Sequence, residues 1–92
     1  MDTKDFLYTK ISQSGSKPIT EDDIAYFQFI EKLDEKVVIS ALNELLSQHK
    51  IIKFYYDTKS NIADEIPSKY SIIAYRPLLE ISNNLFNELL DN

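Results

Sequence analysis

Between residues 34 and 52 the hydrophobic pattern changes period. At about 100° per residue, Val38, Ala41, Leu42 and Leu45 share one narrow face, while Lys36, Ser40, Asn43 and Ser47 lie opposite. This predicts an amphipathic helix with one buried stripe, capped at its start by Asp34. After Gln48-His49-Lys50 the pattern alternates, and Ile52, Phe54 and Tyr56 take one side of a strand. A helix thus runs directly into a β-strand.

The flanking segments follow from the same patterns. Thr3 is placed to cap a short first helix through Phe6, Leu7 and Ile11, with Gly15, the only glycine, at its left-handed exit. Thr20 with Asp23 three residues on is an aspartate form of the capping box, and Glu21 and Asp22 suit the helix dipole. A second helix therefore starts there and runs through Ile24, Ala25, Phe27 and Ile30, with Tyr26 and Phe29 making it apolar on more than one side. The segment before it offers no clear strand. Residues 57–68 form a polar loop that is long for a hairpin. Residues 69–76 return as an antiparallel strand, Tyr70, Ile72 and Ala74 on one face and Ser71, Ile73 and Tyr75 on the other. Pro77 suits the first position of a final helix, whose apolar residues Leu78, Leu79, Ile81, Leu85, Phe86, Leu89 and Leu90 spread over about half its circumference.

The run Ala41-Leu42-Asn43-Glu44-Leu45, followed by a turn and a strand, resembles the third helix and following strand of the winged helix-turn-helix superfamily, with His49 where a glycine usually stands. The order helix, helix, helix, strand, loop, strand, helix extends the resemblance over nearly the whole chain. It implies an α+β, mainly α fold: a single winged-helix domain over residues 1–92, with a two-stranded antiparallel wing and a C-terminal helix. It also implies DNA binding, the third helix in the major groove and the wing on the backbone.

Composition qualifies that implication. Apolar residues make up 43% and charged residues 27% of the 92 residues, as in an ordinary soluble domain at the small end of what folds alone. Without cysteine there are no disulfides or thiolate metal sites. The polar N-terminus lacks a signal-peptide core, and no run approaches the roughly 18 apolar residues of a membrane span. The expectation is a cytoplasmic protein with no membrane partner. The net charge of −5 is the wrong sign for a freestanding DNA reader. Residues 20–50 carry seven acids against three lysines, whereas residues 51–77 carry four basic residues against three acids. Glu21, Asp22, Asp23, Asp34 and Glu35 stand at helix starts that approach phosphates in such folds, and the third helix has no arginine for guanine. Major-groove reading is disfavoured.

No catalytic constellation is present. His49 is the only histidine and reads as a helix C-terminal residue that favours the dipole and covers the end of the core. The consecutive acids 21–23 are explained by capping and are wrongly spaced for a calcium loop. A single glycine cannot build a phosphate cradle. The expectation is a non-enzymatic protein with no cofactor, metal or small-molecule substrate. Two binding surfaces compete. If Ile52, Phe54 and Tyr56 point inward, then Lys53 and Tyr55 point out near Ser71, Ile73 and Tyr75, with Lys59, Lys69 and Arg76 around the edge. Lys53, Tyr55, Lys59, Lys69, Tyr75 and Arg76 are then candidates for stacking bases and holding the backbone of single- or double-stranded DNA. Tyrosines packed for strand stability are the alternative. The other surface is a protein interface: Ile39 and Leu46 on a flank of the third helix, and Leu79, Phe86 and Leu90 along one edge of the last helix, for a protein partner or a homodimer. Cover from the first helix is the alternative there. The reading is a regulatory or nucleic-acid-handling module working through protein contacts, with DNA binding by its wing; a pure protein adaptor or inhibitor subunit is the other.

Overall fold

The computed structural model describes residues 2–64 and 67–78. Among them are three helices, α1 (Thr3–Ser12), α2 (Glu21–Ile30) and α3 (Glu35–Ser47), and four strands, β1 (Ile19–Thr20), β2 (Ile51–Asp57), β3 (Ile62–Asp64) and β4 (Ser71–Pro77). The strands form one antiparallel sheet in the order β1-β4-β2-β3, so the fold is α+β.

The helix starts follow local chemistry. Asp2, rather than Thr3, caps α1, its carboxylate accepting the Asp5 N–H at 2.8 Å. Thr20 and Asp23 form the reciprocal box: the Asp23 N–H donates to Thr20 Oγ1 at 3.3 Å and the Thr20 N–H donates to Asp23 Oδ2 at 3.0 Å. Asp34 accepts the Lys36 and Val37 N–H groups at the start of α3. Each side chain satisfies donors that a helix start leaves without partners.

The core lies between the helices and one face of the sheet. Leu7 and Ile11 of α1, Ile24 of α2 and Val38, Ala41, Leu42 and Leu45 of α3 meet Ile51 and Tyr75 from the strands, with Ile19 and Ile73 packed against them. The buried stripe of α3 is the predicted one. Phe6 and Phe27 close the helical end edge to face, their ring centroids 6.0 Å apart.

The strands depart from expectation in three ways. Residues 19 and 20 do form a strand, pairing with Tyr75 and Ala74 of β4. The expected loop after β2 contains β3, which pairs residues 62–64 with Asp57, Tyr56 and Tyr55. The faces are also reversed: Ile51, not Ile52, enters the helical core, because the register places Ile51, Lys53 and Tyr55 on the same side as Pro77, Tyr75 and Ile73. Pro77 ends β4 opposite Ile51 instead of opening a helix. The predicted C-terminal helix, with Leu79, Phe86 and Leu90, lies outside the described residues. No helix among the described residues is long and apolar enough to cross a membrane.

Candidate nucleic-acid interface

The six candidate residues separate into an outer group and an inner pair. Lys53 and Tyr55 stand on the helix-facing side of β2 but beyond the cover of the helices, Lys53 exposed and Tyr55 42% exposed. They oppose Tyr75 and Ile73 across the β2–β4 ladder. Lys59 and Lys69 are exposed at the far end of the hairpin, in the turns after β2 and before β4.

Tyr75 is a correction. It is only 8% exposed and belongs to the helical core, at the floor of the cleft between α2 and α3, beside Ile24, Val38 and Ile39. Burial raises its phenol pKa above the ordinary value, and the Glu21 carboxylate adds to the rise. A ring in that position has no open face for a base. Arg76 is a second correction, since its guanidinium is tied down: it donates to the Gly15 carbonyl at 3.2 Å and the Ser16 carbonyl at 2.8 Å, and so fixes the α1–β1 loop to β4.

Tyr70 is the residue that sequence reasoning missed. The alternation places it on a strand with Ile72 and Ala74, yet it sits in the turn before β4 and is 43% exposed. Lys59 Nζ lies 4.9 Å and Lys69 Nζ 5.7 Å from its centroid, within cation–π range. The only signal in the sequence was the adjacent pair Lys69-Tyr70; the approach of Lys59 needs the hairpin to close. That closure is built from hydrogen bonds. Tyr70 O accepts both the Thr58 N–H at 3.1 Å and the Thr58 hydroxyl at 3.0 Å. Asp57 Oδ1 accepts the Lys59 N–H at 2.8 Å and the Ser60 N–H at 3.1 Å, and the Ser68 hydroxyl donates to Oδ2 at 3.2 Å. These donors, the Ser60 N–H first, hold the Asp57 carboxyl below its ordinary pKa.

The result is an exposed aromatic ring with two ammonium groups within about 6 Å of its centroid at the hairpin tip, and Tyr55 and Lys53 exposed on β2. Such an arrangement can present a π face and positive charge to a base and its phosphate. The α3 surface offers less. Its exposed side carries Lys36, Ser40 and Asn43 together with Glu35 and Glu44, and Glu44 pairs with Lys4 at 3.1 Å.

Of the candidate protein-interface residues, Ile39 is half exposed, whereas Leu46 packs against the core. A larger apolar surface lies on α2, where Phe29 is 83% and Tyr26 61% exposed beside Ile30. Positions i, i+3 and i+4 place these three on one outer stripe. Among the described residues no group of three or more metal-ligating side chains comes together. No family model matches the chain, and neither a curated protein nor a solved structure does.

Proposed function

We propose that the protein is a non-enzymatic winged-helix module of a regulatory or nucleic-acid-handling system, with the β2–β4 hairpin as a wing that contacts single-stranded DNA. The observation that carries this reading is the Tyr70 ring flanked by Lys59 and Lys69, with exposed Tyr55 and Lys53 on the same hairpin. Strand β1, which pairs with β4 and so completes a third strand beside the hairpin, supports the winged-helix assignment. The acids at the starts of α2 and α3 and the sparse cations of α3 direct contact to the hairpin instead of the helix. Protein contact is the second reading, favoured by the outer stripe of α2 and by Ile39, and the two are compatible if a partner supplies further affinity.

The test compares the unmodified chain with Tyr70→Ala and with the double variant Lys59→Gln/Lys69→Gln by anisotropy of a labelled single-stranded oligonucleotide at low salt. Loss of one stacked ring is expected to cost about 1–3 kcal/mol of binding. The lysine variant is expected to bind more weakly and with a shallower salt dependence. Unchanged binding in both, by folded variants, removes the hairpin from the reading. No binding by any of them leaves the adaptor reading, in which the α2 stripe is the surface to substitute.

A further inference from the structure

The cleft between α2 and α3 has walls and a rim of different character. Its walls are apolar: Ile24 and Ala25 on α2, and Val38, Ile39 and Leu42 on α3. Its rim is acidic, with Glu21 in the first turn of α2 and Glu35 in the first turn of α3. No lysine or arginine is among the described residues that line it. The one ion pair among the described residues is that of Lys4 with Glu44, so neither rim carboxylate has a cationic partner there. Glu21 is held in place, its Oε1 accepting the Ile73 N–H at 3.4 Å, two residues before Tyr75 on β4.

The floor adds an acceptor. Tyr75 lines the cleft and is 8% exposed, and its hydroxyl forms no hydrogen bond with any described residue. Among the described residues no fully buried side-chain oxygen lacks a partner, so this oxygen is not sealed in the core and opens on the cleft. The Glu21 carboxylate lies near enough to add to the rise that burial causes in the phenol pKa. Rim and floor together offer oxygen acceptors and negative charge beside apolar walls.

That combination selects a ligand. An anion meets two carboxylates. A wholly apolar group would cover the phenol oxygen and give it no partner. A cation on an aliphatic stem suits both parts, the stem against the walls and the head at the acceptors. The cleft holds about 240 Å³, less than the roughly 300–1,000 Å³ of sites for drug-sized ligands, and so matches a single side chain. Ile39, 50% exposed, continues the apolar wall outward, and the net charge of −5 favours a basic partner.

We infer that the α2–α3 cleft takes a lysine or arginine side chain of a basic protein partner, its stem against Ala25, Val38 and Ile39 and its head held by Glu21 and the Tyr75 hydroxyl, with Glu35 adding negative charge at the rim. The source of that side chain rests on the protein-contact reading above. The preference of the cleft for a cation does not.

The test is a titration of the full chain, labelled at its methyl groups and tyrosine rings, with N-acetyl-lysine methylamide, its arginine counterpart and the neutral norleucine analogue, followed by nuclear magnetic resonance. Expected are saturable shifts of the Val38 and Ile39 methyls and the Tyr75 ring with both cationic probes, and weaker binding of the norleucine probe by about fivefold or more. Glu21→Gln and Glu35→Gln, which keep the shape and remove the charge, should each weaken the lysine probe by up to about fivefold at low salt. Tyr75→Phe should weaken it while the methyl spectrum shows the packing intact. Norleucine bound as tightly as lysine, lysine binding indifferent to all three substitutions, or no saturable shift in the cleft overturns the inference. A second arm identifies the source: an amphipathic lysine-bearing peptide is expected to bind more tightly than the single residue. Spermidine bound more tightly than that peptide overturns the protein source and makes a free polyamine the occupant. A peptide that shifts Tyr26 and Phe29 but nothing in the cleft overturns the inference and leaves the protein-contact reading in place.

Discussion

His49 and Lys32 hold φ angles of +58° and +54° where the chain leaves α3 and α2. At both places the backbone closes the helix in the same way: the Lys50 N–H donates to the Leu45 carbonyl and the Leu33 N–H to the Gln28 carbonyl, each at 3.0 Å, across a left-handed residue. This is the Schellman turn, whose left-handed position glycine occupies without strain. The structure thus gives a physical reason for the helix-strand junction around His49, and it differs from cover of the core, since the imidazole is exposed. His49→Gly is expected to stabilise the fold by about 0.5–1 kcal/mol, the relief of the left-handed strain less the greater freedom of glycine in the unfolded chain. Denaturant titration measures it. A loss of stability would mean that the imidazole makes a contact stronger than that strain. At this scale the caps of α2 and α3 were legible in the sequence, because Thr20, Asp23 and Asp34 act on neighbours two or three positions away, whereas the cap of α1 fell one residue earlier than expected, on Asp2 in place of Thr3. The sequence did not tell that Arg76 would be held by Gly15 and Ser16, sixty residues back.

The helices were more legible than the strands, for a reason visible in their residues. The stripe of α3 repeats at 38, 41, 42 and 45 and has a single phase. The strands contain Ile51-Ile52, Tyr55-Tyr56 and Ile72-Ile73, so apolar side chains stand at both parities and alternation cannot choose the face. The helices choose it by covering Ile51 and Tyr75. β1 is two residues and β3 three, too short to display a period. The same mixed parity points Tyr75 outward, where it is found buried, and carries the strand back to Tyr70, which is found in the preceding turn. Within the hairpin, Asp57 is the group that organises the tip, and its depressed pKa sets a direction for acid. A carboxyl held below its unfolded value contributes order that is complete above the ordinary carboxylate range, and that order is lost as pH falls through the folded pKa. The Lys59 and Ser60 amide resonances are therefore expected to hold steady from about pH 7 to 5 and to shift together below about pH 4. Asp57→Asn should remove that titration. A midpoint above the ordinary carboxylate value would contradict the hydrogen-bonded geometry of the tip.

Across the whole molecule, charge and exposed apolar surface are distributed unequally. The acids gather at the starts of α2 and α3, and the exposed aromatic stripe follows α2. At the hairpin tip Lys59 and Lys69 stand over the exposed ring of Tyr70, while Lys10 and Lys50 stand over Phe6, Phe27 and Tyr8, rings packed against the core. A chain of net charge −5 gains little from general attraction to a polyanion, so binding by the hairpin depends on a few local contacts and should be correspondingly modest. The most direct measurement is the affinity of the full chain for a short labelled single-stranded DNA across a series of salt concentrations, with molecular mass followed in parallel. If Lys53, Lys59 and Lys69 each displace a counterion, log K falls against log salt with a slope of about −2, at roughly 0.7 per phosphate contact on a single strand. Absence of binding at the lowest salt, or binding with no salt dependence, contradicts a nucleic-acid role for the hairpin.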